Sequence, residues 1–256
     1  MTEFEKEVAE RIRLMPSNKE LCDAAETFMR ASTDPKYSYN FCWQGRPIIQ
    51  YPQDMVAMHE LIWEIKPDLI IETGIAHGGS LIFSASQLAQ LDMCDAIKAG
   101  AIFDPKNSKR KVLGIDIDIR PHNRDAIEAH PMASRIQMIQ GSSISYEIIS
   151  EVQSIAANYK RILVCLDSNH THDHVLKELE AYAHLTSIGS YCCVFDTIVD
   201  DMPAAAYPDR PWGPSNNPKT AVLEYLRTHQ EFEIDKSIQN KLLITVAPDG
   251  YLKRVR

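Results

Sequence analysis

Three glycines lie within six residues in segment 72–80, directly after a short apolar run. Gly74 allows a sharp turn, and the Gly78-Gly79 pair lets a ligand approach the backbone closely. The residues that follow have a helical pattern, and the N–H groups at the start of a helix attract anions and carboxylates. The segment therefore predicts a ligand-binding turn between a strand and a helix, with a purely structural turn as the alternative.

The spacing around this turn favours S-adenosylmethionine (SAM) over a dinucleotide. A dinucleotide-binding turn reads GxGxxG with an acid about 20 residues later, but this turn reads GxxxGG and the next strand ends only at Asp116. An acid there can accept hydrogen bonds from both ribose hydroxyls, and Asp118 competes for this role. Glu72 suits an ammonium group, and SAM carries a ribose, an ammonium group and a carboxylate. The predicted SAM-binding residues are Glu72, Gly74, His77, Gly78, Gly79, Ser80, Asp116, Asp118 and, near the adenine, Ser142 and Ser143.

Two carboxylates, Asp167 and Asp196, end the fourth and fifth predicted strands. If these strands are neighbours in a parallel sheet, the two anions lie close together and repel each other unless one is protonated or a cation sits between them. Oxygen ligands favour a hard ion such as Mg²⁺ or Ca²⁺. We expect a Mg²⁺ site here, and the alternative is two hydrogen-bonded acids at helix N-termini.

Three histidines follow Asp167 in the sequence HTHDH, which is one residue short of the HxHxDH pattern of two-metal hydrolases. On a helix His170 and His174 would share a face, so a zinc site remains an alternative. We interpret His170 as a general base, because neutral imidazole accepts protons near pH 7. Asp167 is then the second catalytic residue, and His172 and His174 are interpreted as solvated or helix-capping side chains.

Two loops, at residues 43–52 and 210–220, combine tryptophan, proline and polar side chains. Tryptophan stacks on sugar or aromatic rings, and long loops beside a rigid sheet commonly carry substrate specificity. Ordinary packing or a subunit contact is the alternative for each loop. The predicted substrate-binding residues are Trp43, Gln44, Arg46, Gln50, Trp212, Asn217 and Lys219.

The elements that position these residues alternate between apolar runs and helical patterns. The first five predicted strands lie near residues 68–73, 111–116, 135–140, 161–167 and 190–196. Continuously apolar strands separated by helices indicate a parallel sheet that is covered on both faces. Two further runs, Phe232–Ile238 and Leu242–Ala247, are too close in sequence for a crossover helix and must pair antiparallel.

Five parallel strands closed by an antiparallel hairpin follow the order of the Rossmann-like α/β fold of SAM methyltransferases, with seven strands and helices on both faces. Architecture alone does not establish function. Residues 1–53 form a helical and aromatic cap segment in this interpretation, with Pro16 as a helix breaker. We therefore expect a cap at 1–53 and a methyltransferase domain at 54–256.

The 256-residue chain is 45% apolar and carries a formal charge of −8, which is typical of a globular protein. Its acidic balance argues against unspecific nucleic-acid binding, which needs clustered Lys and Arg.

No segment approaches the ~20 apolar residues of a membrane span, and the acidic N-terminus is unlike a signal peptide. Six cysteines without a CxxC pair are typical of thiols in a reducing cytoplasm. We expect a cytoplasmic protein, with exposed strand edges that favour a homo-oligomer.

Four motifs together carry a family resemblance. They are IETGIAHGGS at 71–80, GIDID at 114–118, LDSNH at 166–170 and NPKTAV at 217–222. Over roughly residues 40–250 the chain resembles the cephalosporin hydroxylase family, whose members are built as SAM-dependent methyltransferases. The resemblance implies SAM at the glycine turn and Mg²⁺ near Asp167 and Asp196. Catechol-type O-methyltransferases place a catalytic base three residues after the aspartate, where this chain has His170.

The chain departs from these patterns on both sides of Asp196. The family can carry a second acid just before this aspartate, where the chain has Phe195. Catechol-type enzymes place an amide just after it, where the chain has Thr197. We therefore expect Thr197 to be the third metal ligand, with Asn169 or a water molecule as alternatives.

These observations predict a SAM- and Mg²⁺-dependent O-methyltransferase whose acceptor is a small-molecule hydroxyl. Related sequences in sugar and polysaccharide gene clusters favour a sugar or glycoconjugate acceptor. Hydroxylation would need a redox centre, and no His/His/carboxylate iron site stands out. The alternatives are a hydroxylase or oxygenase component of natural-product biosynthesis and a non-catalytic SAM- or sugar-binding subunit.

Overall fold

Nine strands form two sheets in the computed structural model, which describes residues 1–256. The strands are β1 (Phe41–Trp43), β2 (Arg46–Ile48), β3 (Leu69–Thr73), β4 (Lys111–Asp116), β5 (Ile136–Gln140), β6 (Ile162–Leu166), β7 (Tyr191–Val194), β8 (Phe232–Ile234) and β9 (Tyr251–Arg254). The main sheet has the order β5-β4-β3-β6-β7-β9-β8. Strands β3 to β7 pair parallel, and β9 is antiparallel to both of its neighbours. This topology confirms the predicted fold class.

Nine α-helices surround the sheets. They are α1 (Glu3–Leu14), α2 (Lys19–Thr33), α3 (Pro52–Ile65), α4 (Gly79–Ala99), α5 (Pro121–Glu128), α6 (Tyr146–Ala156), α7 (His172–Tyr182), α8 (Pro218–Tyr225) and α9 (Lys236–Leu242). As predicted, the N-terminal helical stretch is interrupted at Pro16, which lies in a short 3₁₀ turn between α1 and α2. None of the helices combines the length and apolar character that a membrane-spanning helix requires.

Successive residues of the central strands bury their side chains on opposite faces of the sheet, which explains the continuous apolar runs. In β3, Ile70 belongs to the core cluster under α3 and α4, whereas Leu69 and Ile71 belong to the cluster under α6, α7 and α8. The two cores hold the strands in place from both sides. The loops at the carboxyl ends of the strands therefore start from fixed positions.

The last strand lies further along the chain than predicted. The segment Leu242–Ala247 was expected to be a strand, but α9 ends at Leu242 and β9 begins only at Tyr251. The reason is the buried carboxylate of Asp54, which accepts hydrogen bonds from Thr245 Oγ1 at 2.5 Å and from Val246 N at 3.0 Å. These bonds hold this segment against α3, and the antiparallel pairing is made by β8 and β9 instead.

The segment between β3 and β4 is rich in polar residues over positions 92–109, and its first part is helical. Helix α4 continues through this part to Ala99. Its second half is held by Asp92, which accepts a hydrogen bond from Arg135 Nη1 at 2.5 Å and pairs with Arg110. A buried ion-pair network therefore stabilises residues whose polarity suggested a loop.

The N-terminal segment carries a small antiparallel hairpin, β1–β2, where a loop was expected. Gln44 and Gly45 have positive φ angles of 44° and 85° in its two-residue turn, as such turns require. Gly79 packs against this hairpin, since a Cβ there would lie 2.1 Å from the Pro47 carbonyl oxygen. The hairpin is thereby docked onto the start of α4, and the domain boundary near residue 53 stays a prediction.

Candidate active site

A cavity of about 690 Å³ lies at the carboxyl ends of β3, β6 and β7. Its walls come from the glycine turn, the end of β6, the loop after β7 and the N-terminal segment before α3. Ligands bind at this edge in open α/β sheets. Of the residues predicted from the sequence, the cavity is lined by Gln50, Gly74, His77, Gly79, Ser80, Asp167, His170, Asp196 and Trp212.

Asp167, His170 and Asp196 form a cluster in the cavity wall, and one ligand atom from each lies within 4.8 Å of the others. His170 Nε2 is 3.1 Å from Asp196 Oδ2. The edge of the imidazole ring packs on Trp212, with ring centroids 4.8 Å apart and planes at 90°. The structure thus brings the two predicted carboxylates together, because β6 and β7 are neighbours in the sheet.

The electrostatics of this cluster favour a cation. Burial raises the pKa of Asp167 well above its usual range, and the nearby charge of Asp196 raises it further. Two carboxylates are suitable ligands for a hard divalent cation, which would stabilise both of them in the ionised form. The donor set therefore fits a divalent cation, as was expected from the positions of the strand ends.

The structure does not bring the two expected third ligands to this cluster. Thr197 is fully buried, and its hydroxyl donates to the carbonyl of Pro248 at 2.6 Å. Asn169 Oδ1 accepts hydrogen bonds from both N and Oγ1 of Thr171, at 2.9 and 2.8 Å. Both side chains stabilise local turns, and the assignment of Thr197 as a metal ligand is not retained.

The glycines of the turn accommodate neighbouring parts of the chain. Gly74 has a φ of +91°, and a Cβ there would lie 2.0 Å from the Asp167 carbonyl oxygen. Gly78 has a φ of +82° and faces the side chain of Ile127. With Gly79 against the hairpin, all three glycines permit close packing within the protein. Gly79 also lines the cavity, so the expected contact of a ligand with this pair stays a prediction.

Arg46 holds the glycine turn in place. Its Nε and Nη2 donate to the His77 carbonyl at 3.0 and 2.5 Å, and Nη2 also donates to Asn123 Oδ1 at 2.9 Å. The Asn123 amide in turn donates to the Ala76 carbonyl at 2.9 Å. Arg46 therefore positions the turn and is not available as the predicted substrate-binding residue.

Asp116 fixes the same turn from the other side. Its Oδ2 accepts from the backbone N–H groups of Ile75 and Ala76 at 2.8 and 3.2 Å, and its Oδ1 accepts from Asp118 N at 3.0 Å. Most of its acceptor capacity is therefore used inside the protein. The Asp118 side chain is exposed and makes no hydrogen bond or ion pair within the protein, so we prefer it as the ribose ligand.

Glu72 is a buried acid behind the turn. It accepts a hydrogen bond from the Ser80 hydroxyl, and burial raises its pKa to about 7. A buried carboxyl with a raised pKa would become ionised beside a cationic group. This property is compatible with the predicted ammonium partner.

One of the two serines expected near the adenine, Ser143, is linked to His174, whereas His172 has other partners. The Ser143 hydroxyl lies 3.1 Å from His174 Nε2, which also contacts Ser168 and Glu178. His172 contacts Thr220 at 2.8 Å. Since α7 begins at His172, His170 lies before the helix and shares no helical face with His174. The alternative zinc site is therefore not formed. Neither Ser142 nor Ser143 lines the cavity.

Three predicted substrate-binding residues of the first loop region and of α8 do not line the cavity. Trp43 Nε1 donates to Ser86 Oγ at 2.9 Å, and its ring packs at a steep angle against Phe83. Lys219 is buried and pairs with Asp201 at 2.5 Å. Gln44 is exposed in the hairpin turn.

Asn217 is also structural, because it caps helix α8. Its Oδ1 accepts from Thr220 N at 3.2 Å, and its Nδ2 donates to Asp200 Oδ1 at 2.7 Å. Of the seven predicted substrate-binding residues, only Gln50 and Trp212 line the cavity.

Sequence reasoning missed several residues of the cavity wall, among them Lys36 and Tyr207, whereas Arg210 belongs to the predicted specificity loop at 210–220. The Arg210 guanidinium lies 5.1 Å from the centroid of the Trp212 ring. Burial raises the pKa of Tyr207 to about 12, so this phenol stays protonated at neutral pH. Lys36 and Tyr207 belong to no spacing pattern in the sequence, and only their position in the fold shows that they line the cavity.

Comparison with known proteins shows the family of this chain. A family model described as Rhamnosyl O-methyltransferase/CmcI matches residues 35–255. The Rhamnosyl O-methyltransferase of Mycobacterium tuberculosis is 28% identical over 218 residues, which cover 83% of this chain and 75% of the relative. That of Mycobacterium leprae is 27% identical over 216 residues, or 83% and 82% of the two chains.

Solved structures of CmcI also resemble this chain. The apo structure and the structure with Mg and SAM each give a TM-score of 0.51 at 20% sequence identity. They cover 85% of this chain and 77% and 78% of the respective CmcI chains. At this level of identity the likeness supports the fold alone.

Proposed function

The chain belongs to the Rhamnosyl O-methyltransferase/CmcI family, and we propose that it transfers a methyl group from SAM to a hydroxyl group of a sugar. The family match confirms the resemblance carried by the sequence motifs. The observation that supports the proposal most strongly is the cluster of Asp167, His170 and Asp196 in a cavity that also borders the glycine turn. One cavity can therefore hold a methyl donor and an acceptor hydroxyl side by side.

Asp167 and Asp196 are the residues that would hold Mg²⁺. Bound there, a divalent cation would supply a Lewis acid that lowers the pKa of an acceptor hydroxyl. His170 takes the hydroxyl proton in this proposal. Because its Nε2 faces Asp196 at 3.1 Å, Nδ1 is the nitrogen that receives the proton, and the carboxylate stabilises the resulting imidazolium.

The glycine turn, Glu72 and Asp118 orient the methyl donor. The N–H groups at the start of α4 can bind its carboxylate, while Glu72 and Asp118 would bind the ammonium group and the ribose. SAM supplies the electrophilic methyl group. Holding donor and acceptor at near-attack distance contributes up to ~7–11 kcal/mol in well-oriented systems.

The sugar is the acceptor that the relatives support best, because their printed name is Rhamnosyl O-methyltransferase. Trp212 lines the cavity and suits a sugar through its ring face. The alternative of a hydroxylase component lacks support from the donor set. The cluster has one histidine and two carboxylates, not the two histidines and one carboxylate of non-haem iron oxygenases.

A methyl-transfer assay tests the proposed function. The protein is incubated with Mg²⁺, SAM labelled in the methyl group and a panel of glycosides that includes rhamnosides. We expect label in a rhamnoside or another sugar, and calorimetry should detect binding of SAM but not of NAD⁺. Binding of NAD⁺ without SAM, or SAM binding without label in any sugar, would contradict the proposal.

A further inference from the structure

Gln50 reaches the catalytic cluster from the N-terminal segment. It follows β2 and precedes α3, and its Nε2 lies 3.3 Å from Asp167 Oδ2. Its side chain lines both the large cavity and a chamber of about 30 Å³ beneath it. A residue far from Asp167 in sequence is thus held against one of the carboxylates that would bind a divalent cation.

The other end of this amide lacks a partner. Gln50 Oε1 is buried from solvent and has no hydrogen-bond donor in the protein. The other polar side chains of the small chamber are Asp54, Glu72, Ser80, Ser84 and Asp167, and none of them donates a hydrogen bond to this oxygen. A carbonyl oxygen is therefore enclosed without a partner, which is an unfavourable arrangement.

Rotating the amide about its last side-chain bond exchanges Oε1 and Nε2. The exchange places the N–H groups on the side of the buried, unpartnered position and the oxygen 3.3 Å from Asp167 Oδ2. Two oxygens would repel at that separation unless a cation binds both. For adjacent octahedral ligands at 2.1–2.4 Å from an ion, the oxygens lie roughly 3.0–3.4 Å apart. The observed spacing falls in this range.

We propose that Gln50 Oε1 is a ligand of the divalent cation held by Asp167 and Asp196, and that it fills the position for which Thr197 and Asn169 are not available. Both of those side chains are used in local hydrogen bonds, whereas the Gln50 oxygen has no partner in the protein. Amide oxygens are ordinary ligands of hard cations. This inference rests on the metal site of the proposed function and reassigns Gln50 from substrate binding to cation binding.

Manganese binding tests the inference without any acceptor or turnover. Electron paramagnetic resonance measures Mn²⁺ binding to four proteins: wild type, Gln50→Leu, Gln50→Glu and Gln53→Leu. Line broadening in ¹⁷O-labelled water then counts the water molecules bound directly to the Mn²⁺ ion. Gln53 is the matched control, because it also has a buried, unpartnered Oε1 but lines neither cavity. SAM binding and thermal unfolding establish that each variant is folded.

We expect Gln50→Leu to bind Mn²⁺ at least roughly tenfold more weakly than wild type and to gain one inner-sphere water. Gln50→Glu should bind Mn²⁺ at least as tightly as wild type with an unchanged water count, and Gln53→Leu should match wild type. If Gln50→Leu has the affinity and water count of wild type, Gln50 is not a ligand. If Gln50→Leu does not fold, a gained water in Gln50→Glu overturns the inference. Failure of wild type to bind Mn²⁺ contradicts the metal site itself.

Discussion

Individual side chains of the site differ in how far the sequence could predict them. Asp167 and Asp196 could be paired in advance, because each ends a strand and the ends of neighbouring parallel strands meet at one edge. The roles of Lys219 and Arg46 could not be predicted, because their polarity suggested contacts with a substrate. Lys219 pairs with Asp201 and Arg46 donates to the His77 carbonyl, and both contacts depend on tertiary packing.

Replacing His170 with asparagine tests its role as the base. We expect kcat to fall by roughly 10²–10⁴-fold, while SAM affinity stays unchanged. The measurement is steady-state kinetics with a sugar acceptor, together with calorimetry of SAM binding. His172→Asn is the control, since His172 contacts Thr220 outside the cluster. Equal losses in both variants would argue against a catalytic role for His170.

At the level of elements, the glycine turn is held by contacts from two separate parts of the chain, the end of β4 and strand β2. Asp116 binds its N–H groups from the end of β4, Arg46 binds the His77 carbonyl from β2, and Pro47 packs against Gly79. The turn is thus fixed before a ligand binds, which lowers the entropy lost on binding.

Two alanine variants separate the roles assigned to the two acids after β4. Asp116→Ala removes hydrogen bonds to Ile75 and Ala76, so we expect lower thermal stability together with weaker SAM binding. Asp118→Ala removes an exposed carboxylate, so we expect weaker SAM binding at unchanged stability. Calorimetry and thermal unfolding measure both effects. An Asp118→Ala variant with wild-type SAM affinity would return the ribose contact to Asp116.

Helices and strands could be predicted where the hydrophobic periodicity of the sequence is strong. The prediction was wrong where hydrogen bonds from distant side chains override the local pattern. The five parallel strands follow from apolar runs between helical segments. The segment Leu242–Ala247 has the composition of a strand, but the Asp54 carboxylate binds Thr245 and Val246 across nearly the whole chain. A partner so distant in sequence leaves no local signal, and the same is true of Arg135, which stabilises the second half of α4.

At the scale of the whole molecule, one side of the sheet encloses several acids without a buried cation beside them. Burial raises the pKa of Asp54 to about 6, that of Glu72 to about 7 and that of Asp167 well above its usual range. The ligand-free fold therefore holds protons that the unfolded chain would release at neutral pH. A cation bound at the site would stabilise the ionised carboxylates and so offset the cost of burying their charge.

The pH dependence of stability follows from these acids. The pKa of Glu72 is about 7 when folded and 4.5 in its ordinary state, so the folded protein binds more protons between these values. Stability should then fall as the pH rises from about 4.5 to 7, by up to about 3 kcal/mol from Glu72 alone.

Urea unfolding of the ligand-free protein at pH 5 and pH 8 measures this dependence. Glu72→Gln cannot ionise, so we expect it to lose less stability than wild type between the two pH values. Asp54 and Asp167 titrate in both proteins, so the difference between the two pH slopes reports the contribution of Glu72 together with the effect of its charge on Asp167. Parallel slopes would show that Glu72 does not carry a raised pKa.

The most direct test of the link between the carboxylate cluster and methyl transfer compares two proteins under two conditions. The rate of methyl transfer is measured for wild type and for Asp167→Asn, each with Mg²⁺ and with EDTA. We expect wild type to label a sugar hydroxyl with Mg²⁺ and to lose at least roughly 10²-fold in rate with EDTA. Asp167→Asn should be inactive under both conditions while it still binds SAM. Full activity of wild type in EDTA, or of Asp167→Asn in Mg²⁺, would contradict a cation-assisted transfer at this cluster.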